Sequence, residues 1–146
     1  MLSPFGKVET DRKISGEVRE IDVCFFPYAQ VANLPSLGLL SKLASTGVAF
    51  EPFRNPVGAD EIRSCEAKLF DLHSELNRQA KRQQLRKQAE SPLPMLWILT
   101  PTLAAATLDS FGAMTDVEGW GDGVYFFPPG QKTGIMVIHN AGDGFI

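Results

Sequence analysis

The strongest constraint on this chain lies in residues 48–88, VAFEPFRNPVGADEIRSCEAKLFDLHSELNRQAKRQQLRKQ. A short apolar strand turns at Pro56-Val57-Gly58 and feeds a long helix. Ile62, Cys65, Leu69, Leu72, Leu76 and Ala80 recur at steps of three and four, which draws one apolar stripe along one helix face. Asp60 and Glu61 stand in the first turn, and Lys81, Arg82, Arg86 and Lys87 stand towards the end. That order of charge suits the helix dipole at both ends. A helix of about 25 residues is marginal alone and needs an apolar surface to lie on. The other segments are expected to form the sheet that supplies it.

With 146 residues the chain makes one domain and can bury a full core. At 44% hydrophobic and 21% charged residues it belongs with ordinary globular chains rather than disordered ones. Its net charge of −3 argues against a basic coat that wraps nucleic acid, but leaves room for a local basic patch. The apolar runs are too short to cross a bilayer, and MLSPFGKVETDRK lacks the apolar centre of a secretory signal, so no membrane partner and a cytoplasmic location are expected. Cys24 and Cys65 each stand in an apolar pattern and read as buried thiols.

Residues 1–16 read as a lead-in segment, 17–140 as the α/β domain and 141–146 as a tail. Residues 17–26, EVREIDVCFF, form the first expected strand. Ile21, Val23 and Phe25 point to one face, and Glu20, Asp22 and Cys24 to the other. A short helix is expected at 36–45 and a strand at 48–54, where Pro52 marks a strand end or an edge. MLWIL at 95–99 is wholly apolar and bounded by turn signals, as a central strand covered on both faces would be. Thr100 as N-cap and Pro101 at the first helical position predict a helix over 101–111 that stops at Gly112. Residues 114–123 read as a loop, and 124–127 and 134–139 as strands of a C-terminal hairpin. The expected fold is therefore a single α/β domain. It has a mixed, mostly parallel sheet flanked by helices, one long amphipathic helix and a terminal hairpin.

Common chemistries find no motif. There is no GxGxxG or GxxxxGK[ST] loop after a strand, no GxSxG elbow and no close pairing of Cys24, Cys65, His73 and His139 for zinc. His73 falls at the boundary of the helix's apolar face. What stands out is acid inside apolar strands. Asp22 lies within the first strand, Glu51 lies within the second among phenylalanines, and Arg54 follows at its end. Buried without a partner, each carboxylate costs several kcal/mol, so each must face water, pair with a cation or bind a metal. Two carboxylates from separate strands with a basic group nearby suit a hard cation such as Mg2+ in phosphodiester hydrolysis. A cross-strand ion-pair network accounts for the same residues without catalysis. The basic run Arg78, Lys81, Arg82, Arg86 and Lys87 is either a solvated helix end or a contact for a nucleic-acid backbone.

Several phrases resemble a group of uncharacterised cyanobacterial proteins. These are GEVREIDVCFFP, FEPFRNPV followed by ADEIRSC, LPMLWILTPT, and the end running from GVYFF to MVIHN. That group in turn resembles the PD-(D/E)XK nuclease-like superfamily, near the Rpn-type transposase-associated proteins. The resemblance implies that Asp22 is the metal-binding aspartate and Glu51 the acidic member of the (D/E)XK element, with Mg2+ between them. The pattern's lysine position is occupied by Phe53, so Arg54 follows one residue late, and Arg63 or Lys68 on the long helix could supply the cation instead. The nuclease core joins its two acidic strands by a short antiparallel connection, whereas a helix is expected between them here. The resemblance implies a metal-dependent nuclease with Asp22, Glu51 and Arg54 as catalytic residues. The other expectation is a non-catalytic interaction module on the same fold, whose long helix meets a protein partner or a second copy.

Overall fold

The computed structural model describes residues 6–13, 20–27, 47–82 and 93–138. Among these described residues, seven strands build one mixed sheet in the order β1-β2-β3-β4-β7-β6-β5. They are β1 (Gly6–Lys13), β2 (Glu20–Pro27), β3 (Val48–Pro52), β4 (Met95–Thr100), β5 (Met114–Thr115), β6 (Val124–Phe126) and β7 (Thr133–Val137). The long helix α1 (Ala59–Arg82) follows β3; α2 (Ala105–Ser110) and the single turn α3 (Val117–Trp120) fall between β4 and β6. The expected helix at 36–45 and the tail at 141–146 lie outside the described residues.

β3, β4 and β7 run parallel, because α1 carries the chain back from the end of β3 to the start of β4. β1–β2, β2–β3, β5–β6 and β6–β7 pair antiparallel, so parallel character is confined to the middle of the sheet. The β6–β7 hairpin turns through one 3₁₀ turn at Pro129–Gln131, with Lys132 left-handed at φ 48°.

Alternation along the central strands divides the core. Cys24, Ala49, Leu96, Ile98 and Ile135 face α1 and pack with Ile62, Cys65, Leu69 and Leu72, the predicted stripe. Phe25, Val48, Trp97 and Met136 point to the other face and pack with Val124. Both cysteines are buried thiols. On that second face, Trp97 meets Trp120 and Phe126 at 5.4 Å between ring centroids. Its ring fills the space over Gly134, where a Cβ would lie 2.5 Å from it.

Three local expectations are corrected. Residues 6–13 form a strand, β1, whose Val8, Lys7 and Glu9 are exposed or charged as befits a sheet edge; its polarity hid it from a hydrophobic pattern. Thr100 is no N-cap. It is the buried last residue of β4, where its Oγ1 accepts from Val57 N at 3.1 Å and donates to Thr102 O at 2.9 Å. The following helix starts four residues late and is capped by Ala104 with no side-chain hydrogen bond. Residues 114–123 hold β5 and α3 as well as loop. Pro52 does end β3, the first of its two expected roles, and β3 is a central strand, so the edge alternative falls away.

Candidate functional site

Glu51 shares a sheet face with Ala49, so it points towards α1 and into the core. It is 3% exposed. A carboxylate there needs a cation, and α1 provides one. Lys68 Nζ donates to Glu51 Oε1 at 2.7 Å, with the lysine side chain 21% exposed. The helix places it, since Lys68 stands three residues after Cys65 and four before Leu72, on the flank of the stripe. The pair thus joins β3 to α1 and meets solvent on the lysine side.

Asp22 is placed by its strand. β2 and β3 pair antiparallel through Phe25↔Val48, Cys24↔Ala49 and Val23↔Phe50. The next position outward on β2 is Asp22, and on β3 it is Glu51. The two acidic positions are therefore neighbours across adjacent strands. The side chain of Asp22 lies outside the described residues.

The sequence offered three cations, and they have different fates. Arg54 is exposed in the bend after β3. Arg63 Nη1 holds Asp60 Oδ1 at 2.7 Å, and its guanidinium lies 5.9 Å from the Phe111 ring centroid. Lys68 is the one in contact with Glu51. Phe53, two residues after Glu51, packs against the core on the α1 side. Of the basic run, Arg78, Lys81 and Arg82 are exposed on the last turns of α1, and Arg86 and Lys87 lie outside the described residues.

Two titratable groups are buried without serving this site. His73 donates from Nε2 to Pro94 O at 2.7 Å, and burial pushes its imidazole below the usual value, helped by Lys132 nearby. It ties α1 to the start of β4, which makes it a structural residue. Glu66 is 8% exposed; burial pushes its carboxyl up, partly offset by a hydrogen bond with Thr133. Thr133 has one hydroxyl proton and also reaches Gln131 O at 2.8 Å. The sequence signal for Glu66 is its position four after Ile62 and three before Leu69, inside the stripe rather than beside it.

Among the described residues no three His, Cys, Asp or Glu side chains cluster as a metal would need, and no helix is long and apolar enough to cross a membrane. The two acidic positions, Asp22 and Glu51, carry oxygen donors only. That donor chemistry fits a hard cation and not zinc. Comparisons with known proteins find no matching family model, no matching curated protein and no matching solved structure. The fold defines the chain as a mixed-sheet α/β domain.

Proposed function

We propose that the chain is a PD-(D/E)XK-like, metal-dependent nuclease in which Asp22 and Glu51 hold Mg2+. The observation that carries this reading is the juxtaposition of two acidic positions on adjacent antiparallel strands, with Lys68 in contact with one of them. The antiparallel pairing of β2 and β3 also agrees with the arrangement of the nuclease core. Magnesium, when bound, would polarise the phosphate and make water a better nucleophile.

The protein's own groups do the rest. Lys68 fixes the orientation of Glu51 and brings a positive charge to the site, as a compact ammonium whose bond to Glu51 compensates the carboxylate's burial. It takes the place of the lysine that Phe53 displaces. Arg54, exposed beyond the end of β3, carries a planar guanidinium whose donors can steady a phosphate. Arg78, Lys81 and Arg82 would draw a polyanion towards the helix end.

A second reading rests on a specific observation too. Glu51 is almost fully buried and already neutralised by Lys68, as in a structural ion pair. On this reading the fold is an interaction module without catalysis, and α1 offers its exposed face to a partner. Supercoiled plasmid separates the two. The nuclease reading predicts nicking that needs Mg2+, stops with EDTA and is abolished in Asp22→Ala. No nicking by either protein gives the case to the interaction module, and equal nicking by wild type and Asp22→Ala refutes Asp22 as a metal ligand.

A further inference from the structure

Beyond the acidic pair, the same sheet face holds an open groove of about 490 Å³, a volume within the range of small-molecule sites. Its walls are Thr102 and Leu103, just past the end of β4, with Val137 ending β7, and Thr115, Asp122 and Tyr125 from the β5–β6 side. β4 and β7 are parallel neighbours, so the groove lies outside the carboxyl ends of parallel strands, where open α/β sheets bind ligands. Gly123 also lines it, with a left-handed φ of +82°, and a Cβ there would come within 3.2 Å of Val137 O.

Register ties the groove to the candidate site. Glu51 pairs with Ile98, Ile98 with Ile135, Ile135 with Tyr125, and Tyr125 with Thr115. This is one row across the sheet, and side chains in one row of paired residues share a face. Three strand spacings separate Glu51 from Tyr125, or about 14 Å. The chemistry of the walls is selective. The Tyr125 ring with Leu103 and Val137 suits a flat, uncharged ring. The Thr102 and Thr115 hydroxyls donate or accept. The Asp122 carboxylate accepts only; it favours an amino group and repels phosphate.

We infer that this groove binds a nucleobase, and prefers one that carries an exocyclic amino group. The inference takes its ligand class from the proposed nuclease reading and places an unpaired base of the substrate beside the reacting phosphate's strand. It makes single-stranded nucleic acid, whose bases are free to leave the stack, the preferred substrate.

Amide chemical shifts followed by NMR in EDTA test the groove without any metal. The probes are cytidine, uridine and ribose 5-phosphate, then a cytidine-containing single strand and its duplex. Cytidine should shift the amides of Thr102, Thr115, Gly123 and Tyr125 and bind more tightly than uridine. Ribose 5-phosphate should leave those amides unmoved, and the single strand should bind more tightly than the duplex. Tyr125→Leu should weaken cytidine by about tenfold through lost stacking. Asp122→Asn, at an exposed position, should keep the fold and erase the preference for cytidine over uridine. Binding of the free nucleoside but not the strand would place the ligand among small nucleosides and still support the site. No shifts at the groove, or equal shifts with ribose 5-phosphate, overturn the inference. Plasmid nicking by the same proteins keeps the two proposals apart: nicking without base binding removes only the groove, and base binding without nicking removes only the nuclease.

Discussion

Lys68 is the residue on which the described part of the site turns. Removing it leaves Glu51 charged in the core, which costs 3–5 kcal/mol for a fully buried pair; the partial exposure of Lys68 brings the expectation for Lys68→Ala down to about 1–3 kcal/mol. Denaturant unfolding of the single variants and of Lys68→Ala/Glu51→Gln should show the second change recovering part of that loss; strict additivity would show that the contact carries no energy. Glu66 and His73 set opposite pH trends. The Glu66 carboxyl is raised from 4.5, so the stability it holds is complete below pH 4.5 and falls as pH rises through the raised value. His73 is lowered from 6.5, so its contribution is complete above pH 6.5 and falls as pH drops through the lowered value. Thermal melts of Glu66→Gln should therefore show a gain over wild type at pH 8 that vanishes at pH 4; a gain equal at both would contradict a proton-linked cause. At this scale the sequence left Glu51 to face water, pair with a cation or bind a metal, and the structure shows a cation partner. The sequence could not choose among Arg54, Arg63 and Lys68, since that depends on which side of α1 faces β3. Glu66 was invisible because a carboxylate in an apolar stripe reads as a break in the pattern, not as a buried acid.

The long helix shows what an element's own pattern can and cannot tell. Its stripe from Ile62 to Leu72 is buried as its spacing requires, and Leu76 packs at its margin. Ala80 continues the spacing but is exposed, because the support ends first. Twenty-four residues make a helix about 36 Å long, while the central strands span roughly 17–20 Å. Leu69→Ala should cost about 2–5 kcal/mol in chemical denaturation, and an unchanged midpoint would deny that the stripe is core. Across the sheet, Gly134→Ala drives a methyl into the Trp97 ring and should cost about 1–3 kcal/mol, with a shift in tryptophan emission. An emission spectrum identical to wild type would refute the close packing. β4 was legible because five apolar residues between turn signals fit only a covered strand. β1 was not, because an edge strand takes its hydrogen bonds from one neighbour and needs no apolar face of its own. The helix after β4 was placed early because Thr100-Pro101 carries a capping signature, yet the strand keeps Thr100 for its bond from Val57 N.

For the whole molecule, topology matters more than any motif. Alternating strands and helices led to an α/β fold with a terminal hairpin, and the sheet has both. They also suggested mostly parallel pairing, which the structure limits to β3–β4–β7, because antiparallel pairing of β2 with β3 depends on a return path that no local pattern encodes. That pairing is what makes Asp22 and Glu51 neighbours, so the site was legible as residues and illegible as a place. The central claim is that these two acids grip one ion. Manganese, a paramagnetic substitute for magnesium, reports this directly when titrated in trace amounts against the protein's amide NMR spectrum. Signals of residues 22–24 and 49–51 should broaden first in wild type and stay sharp in Asp22→Asn. Broadening that spares these strands, or that is unchanged by Asp22→Asn, would contradict a shared metal site.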